Sequence, residues 1–166
     1  LSIFDLTPLG HQPMHLQKRG LTIVFNGEIY NFIELRKQLQ SLGYIFHSQS
    51  DTEVLLVAYA EWGYDCLKHL NGMFAFVIYD SKQKKIFIAR DRVGEKPLFY
   101  HLHNGTLFFA SELKALLSNS SLPRNIDPES LDCYLAMGFI PGERCILSGY
   151  KKLAPAHAMS FDIQSG

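Results

Sequence analysis

Leu21-Thr22-Ile23-Val24-Phe25-Asn26-Gly27-Glu28-Ile29-Tyr30-Asn31 is the stretch from which the rest of the 166-residue chain can be read. Leu21 to Phe25 is short, apolar and rich in β-branched residues, which predicts a buried strand. Asn26-Gly27 predicts a turn at the strand's end. Asn31, with Glu34 three residues on, predicts a capping box, because the two side chains can answer each other's exposed backbone N–H groups. Phe32, Leu35, Leu39 and Leu42 then recur at helical spacing until Gly43 stops the helix.

Outward from there the chain alternates strands and helices. Tyr44 to His47 predicts a further short strand. Ser50 or Asp51 caps a second helix that turns Val54, Leu55, Ala58 and Trp62 inward and stops at Gly63, and Asp65 to Leu70 adds a short helical piece. Met73 to Asp80 is nearly continuously apolar, as a strand covered on both faces must be. Ser81 to Lys85 is a polar hairpin tip, and Ile86 to Arg90 returns. Leu98 to Leu102 and Thr106 to Ala110 form a second hairpin around Asn104-Gly105. Glu112 to Leu117 reads as a short helix. Asp127-Pro128-Glu129 starts another that runs to about Ala136 and ends at Gly138. One more strand is expected near His157 to Ile163. Antiparallel strands with helices outside them predict an α+β fold.

Sixteen basic residues balance sixteen acidic ones, and 47% of the chain is hydrophobic. The length suits a single domain with a substantial core. Without a basic excess, neither a nucleic acid nor an anionic membrane surface is an expected partner, and no apolar run is long enough to span a bilayer. Cys66, Cys133 and Cys145 are odd in number and widely spaced. They argue against a disulfide framework and for a reducing, cytoplasmic setting. Leu1-Ser2-Ile3-Phe4 reads as a strand already under way, so residues are expected to precede it.

Four local patterns could carry chemistry. Asn26 and Gly27 can aim an amide group and a backbone N–H at one oxygen, the geometry of an oxyanion hole; the same pair is also a common turn. Asp51 can cap a helix or hold an ammonium group. The charges of Arg90-Asp91-Arg92-Val93-Gly94-Glu95-Lys96-Pro97 can grip an anion or pair with one another. His101 and His103 share a strand face, but no third ligand of matching spacing is evident, so no metal is expected. The chain has no Gly-rich phosphate loop, nucleophile elbow or HExxH. An oxyanion hole would therefore stand without a nucleophile.

Read together, the motifs are more specific. Leu1-Ser2-Ile3, His11-Gln12-Pro13-Met14, Asn26-Gly27-Glu28-Ile29-Tyr30-Asn31, Ser50-Asp51-Thr52-Glu53, Gly72-Met73-Phe74-Ala75-Phe76 and Arg90-Asp91-Arg92-Val93-Gly94-Glu95-Lys96-Pro97-Leu98 occur in this order. From Leu1 to about Phe161 the chain resembles the glutamine amidotransferase domain of glutamine-hydrolysing asparagine synthetases, the class II, N-terminal-nucleophile type. The resemblance implies a four-layer αββα sandwich of two antiparallel sheets. It also implies hydrolysis of the glutamine side-chain amide to glutamate and ammonia, by an N-terminal Cys whose own α-amino group is the base. The ammonia then serves the ATP-dependent amidation of aspartate on a synthetase domain.

Carried over by residue, the resemblance makes Asn26 and Gly27 the oxyanion donors. Glu28 and Asp51 would hold the α-amino group of glutamine, and Leu1 and Ile3 would line the pocket. The family's Arg before the position of Leu1, its N-terminal Cys, the His-Arg-Gly-Pro-Asp element and the synthetase domain with its pyrophosphate loop are not in this sequence. Residues 1–166 are thus expected to be one N-terminally truncated amidotransferase domain, inactive alone. It would need no metal or cofactor of its own, ATP and magnesium belonging to the synthetase domain. Glutamine and that synthetase domain are the expected partners, and homodimerisation is left open. A non-catalytic homologous domain, serving a synthetase as a structural or binding partner, is the alternative. Ala156 stands where the family has Gly in a tight turn.

Overall fold

The computed structural model describes Asp5 and residues 7–165. Its elements are β1 (Met14–Leu16), β2 (Leu21–Ile29), α1 (Phe32–Ser41), α2 (Asp51–Trp62), β3 (Gly72–Asp80), β4 (Lys85–Arg90), β5 (Phe99–His103), β6 (Thr106–Ala110), α3 (Leu113–Leu116), α4 (Pro128–Met137), β7 (Tyr150–Lys152) and β8 (Ala158–Asp162). Two antiparallel sheets form, ordered β1-β2-β3-β4-β8 and β6-β5-β7.

Side-chain alternation along β3 explains the layering. Phe74, Phe76 and Ile78 point into one core with Leu35 and Leu39 of α1 and the buried run Val54 to Tyr59 of α2. Ala75 and Val77 point the other way, into a core shared with Ile88, Leu98, Leu107, Phe109 and Leu153 between the sheets. A third cluster, with Phe99, Phe108, Leu113, Leu116, Leu122, Cys145, Leu147 and Tyr150, covers the outer face of the smaller sheet. The layers are therefore helices, five-stranded sheet, three-stranded sheet and an outer helical layer. This is the expected α+β arrangement, and β3 is apolar on both faces because both are buried.

Several local expectations are corrected. Asn26-Gly27 is not a turn: β2 runs on through both residues to Ile29, paired with β3 from Leu21↔Asp80 to Ile29↔Gly72. The Asn-Gly turn preference is local, and nine residues of ladder override it. Asn31 caps no N–H of α1 with its side chain. Its amide instead donates to the His69 carbonyl at 2.9 Å and accepts from the Asn71 N–H at 3.0 Å, tying the helix start to the approach to β3. Leu42, expected on the buried face, is half exposed. Tyr44 to His47 forms no strand; Glu53 takes the N–H groups of His47 and Ser48 instead. Ser50, not Asp51, caps α2 by accepting from the Thr52 N–H at 3.1 Å. Asp127 caps α4, accepting from the Ser130 N–H at 2.7 Å, and Gly138 ends it with φ +77°. No helix among the described residues is long and apolar enough to cross a membrane.

Ala156 sits in its turn at φ +59°, and its N–H donates to the Asp91 carbonyl at 2.8 Å. A left-handed conformation crowds an alanine Cβ, at about 1–2 kcal/mol, and the entropy that Gly loses on folding offsets part of the relief. Ala156→Gly should therefore stabilise the domain by roughly 0.5–1 kcal/mol. Urea unfolding measures this, and a loss of stability would show that the turn is not strained.

Candidate active site

The second half of β2 builds the site. β1 pairs with β2 only as far as Met14↔Ile23, so beyond that point one edge of β2 carries no strand among the described residues. Side chains take over the ladder there. The Phe25 N–H donates to Gln12 Oε1 at 2.6 Å, and the Ile29 N–H donates to Asp51 Oδ2 at 3.0 Å. Alternate N–H groups of a strand point to the same edge. The Gly27 N–H therefore projects between those two, off the open edge.

Gly27 is required here for steric reasons. Its φ is +155°, and a Cβ would lie 2.1 Å from the Met73 carbonyl oxygen and 2.7 Å from Phe74 Cα. Gly72 answers it from β3, where a Cβ would lie 2.2 Å from the Glu28 carbonyl oxygen. The two glycines let the backbones of β2 and β3 approach more closely than any side chain permits.

Asn26 faces the space between the sheets. Its Nδ2 donates to Ser111 Oγ at 3.2 Å, while its Oδ1 is buried and has no partner. Gln12 Nε2 is likewise buried and unpartnered. Gln12, Asn26, Ala110 and Ser111 help to line a cavity of about 320 Å³. A cavity that size with orphaned polar groups has room for a polar ligand or a further segment of chain.

Asp51, the first residue of α2, is buried, and the Ile29 N–H that it holds directly follows Glu28 in β2. Burial pushes its carboxyl above the usual carboxylate range, the Ile29 and Thr52 N–H groups oppose this, and the charge of Glu28 pushes it further up. Among the described residues neither carboxylate has a cationic partner. Two adjoining, uncompensated carboxylates suit a cation. Leu1 and Ile3, the other expected site residues, lie outside the described residues.

Among the described residues the charged segment from Arg90 to Pro97 forms no ion pair with itself, and Arg92 and Glu95 are exposed. Asp91 is buried and accepts N–H bonds from Phe74, Val93, Glu95 and Lys96 at 2.9–3.1 Å. Arg90 donates to the carbonyls of Lys96, Leu153 and Gly94, and Arg92 to that of Leu70. These charges hold backbone, and Asp91 fixes Phe74 opposite Gly27. Sequence reading missed this role; the one available signal was that the charged run adjoins the buried strand β4. His101 Nδ1 lies 2.7 Å from the Gly149 carbonyl oxygen, and its ring stacks on Tyr150. Among the described residues no three His, Cys, Asp or Glu side chains gather as metal ligands would. Cys66 is fully buried, and burial pushes its thiol up to about 12, the state of an inert thiol.

Comparison with known proteins adds to this geometry. Residues 1–165 match the family model described as a glutamine amidotransferase domain. Asparagine synthetase [glutamine-hydrolyzing] 3 of Bacillus subtilis is 44% identical over 165 residues, 97% of this chain and 26% of that protein. Putative asparagine synthetase [glutamine-hydrolyzing] 2 of Methanocaldococcus jannaschii is 37% identical over 179 residues, 98% of this chain and 34% of that protein. The chain thus spans about a quarter to a third of these curated relatives. Among solved structures, the glutamine phosphoribosylpyrophosphate amidotransferase of B. subtilis, complexed with ADP and GMP, superposes with a TM-score of 0.56 at 23% identity, over 93% of this chain and 32% of that one. The likeness is one of fold, the sandwich of two antiparallel sheets with helices outside them. By sequence along its whole described length and by fold, this chain belongs to the glutamine amidotransferase domain family.

Proposed function

We propose that this domain is the glutaminase part of a longer, cytoplasmic, glutamine-hydrolysing asparagine synthetase. The observation that carries the reading is the pair Glu28 and Asp51, two adjoining carboxylates without a cation beside the open edge of β2. They would hold the α-ammonium group of glutamine. The side-chain amide of the substrate would then lie along β2, where the Gly27 N–H and Asn26 Nδ2 stabilise the oxyanion that forms as the nucleophile attacks the amide carbon. Collapse of the tetrahedral intermediate releases ammonia, and water completes the hydrolysis to glutamate. Ammonia is consumed on a synthetase domain of the same polypeptide, where ATP and magnesium activate aspartate. ATP and magnesium would belong to that domain. Leu1 and Ile3 would complete the glutamine pocket.

None of the three cysteines suits the nucleophile. Cys66 is buried with its thiol pushed up, Cys145 is buried, and Cys133 lies on α4, remote in sequence from β2. The 166-residue chain alone should therefore release no ammonia from glutamine, as a coupled glutamate assay would show. In the complete protein, Asp51→Asn should raise KM for glutamine roughly 100-fold, since the ammonium loses a desolvated partner. Synthesis from free ammonia should be unchanged. The native carboxyl is raised, so protonation already favours the fold as pH falls through its native value. The neutral variant should accordingly keep or raise Tm. An unchanged KM with a lowered Tm would reduce Asp51 to a structural acceptor for Ile29.

A further inference from the structure

We propose that Ser111, which follows β6 and leads into α3, is a positioning residue for glutamine hydrolysis: its hydroxyl holds the Asn26 amide in place and leaves that amide's second N–H for the oxyanion. The proposal rests on the glutaminase reading above, which gives Asn26 its role, and adds a residue from the other sheet. Asn26 and Ser111 stand 85 positions apart, yet Asn26 Nδ2 donates to Ser111 Oγ at 3.2 Å. Asn26 Oδ1 is buried with no partner among the described residues. The Ser111 hydroxyl is thus the one hydrogen-bond partner that the described residues offer this amide.

The backbone of Asn26 is fixed without Ser111. It lies opposite Ala75 in the β2–β3 ladder, and on the open edge Gln12 takes the Phe25 N–H while Asp51 takes that of Ile29. The ladder does not fix the amide at the end of the side chain. The terminal torsion of an Asn is broad and roughly two-fold, so a loose amide turns. An oxyanion donor is effective because it is already aimed when negative charge develops, and a turning amide has lost that advantage. The NH₂ group carries two hydrogens. With one on Ser111, the torsion is set and the other remains for the substrate. Ser111 is a firm anchor for this purpose. Ala110 before it pairs with Phe99 in the smaller sheet, and Leu113 and Leu116 after it pack with Phe99, Phe108 and Tyr150. The aim of a donor on one sheet is therefore set by the other sheet, across the cavity of about 320 Å³ that both residues line.

The test is steady-state glutamine hydrolysis by the complete protein, as wild type, Ser111→Ala, Asn26→Ala and the double variant. Ser111→Ala should lower kcat about 10-fold, less than the roughly 100- to 1,000-fold that follows loss of an oxyanion donor, and should leave KM for glutamine within about 2-fold. The near-constant KM separates a misaimed donor from a misfolded domain. In the Asn26→Ala background, removing the hydroxyl should change kcat by less than about 2-fold, because nothing remains for it to aim. An unaltered kcat in Ser111→Ala, with or without a change in KM, would overturn the proposal. So would a loss of kcat that persists in the Asn26→Ala background, since Ser111 would then support the fold or touch the substrate directly. A wild-type protein that releases no glutamate from glutamine would instead overturn the glutaminase reading itself, and the proposal with it.

Discussion

Gly27→Ala is expected to lower the stability of the domain by about 4 kcal/mol or more, a large part of the 5–15 kcal/mol that holds a typical domain together. The added Cβ would meet the Met73 carbonyl oxygen at 2.1 Å and Phe74 Cα at 2.7 Å. Both are backbone atoms, so no rotamer change relieves the contact. The backbone of Phe74 is also pinned, since its N–H donates to Asp91 Oδ2 at 3.1 Å and its carbonyl accepts from the Asp91 N–H at 2.8 Å. β3 cannot move away as a whole, because β4 flanks it on the other side. Gly43 is the control. It also has a positive φ, +92°, but an added Cβ would meet nothing within 4 Å. Gly43→Ala should lose only about 1–2 kcal/mol, the conformational cost alone. Urea denaturation of both variants compares them directly, and similar losses would mean that β2 and β3 can part without penalty.

Asp91→Ala should cost about 3–5 kcal/mol, because four backbone N–H groups lose a buried charged acceptor together. The carboxylate also leaves a pH signature. Burial pushes its pKa up, but the N–H groups of Lys96, Glu95 and Phe74 outweigh this and hold it below the usual range. A carboxyl lowered in the native state adds stability that is complete above its unfolded pKa and is lost as pH falls through the native value. The wild type should thus lose stability steeply below about pH 4, the unfolded carboxylate range. Asp91→Asn keeps one acceptor oxygen and sets an NH₂ against N–H donors, so it too is destabilised at neutral pH. Its deficit should shrink as the pH drops, because the wild type then loses the same bonds by protonation. Urea midpoints from about pH 7 to about pH 3 test this; a constant gap would assign the acid sensitivity to other groups.

The sequence by itself determined the elements and their sides. The apolar run of β3, the caps of α2 and α4, the stop at Gly138 and the α+β class all follow from residue chemistry acting over a few positions. The motif around Asn26 also marks candidate site residues by residue type alone. Only the tertiary structure decided what those residues do. Asn26-Gly27 has a turn's local preference, but pairing with residues nearly fifty positions away makes it strand. Tyr44 to His47 has a strand's composition, but Glu53 takes the N–H groups of His47 and Ser48 and no strand forms. β1 and β7 are three residues long, too short to signal themselves, and exist because a neighbouring edge offers hydrogen bonds. Asp51 acts on Ile29 and Asp91 on Phe74 because packing buries both carboxylates against unpaired N–H groups. Helix caps and side-chain periodicity are short-range and can be read along the chain. Ladder pairing, close backbone approach and the burial of a charge depend on what the fold brings alongside.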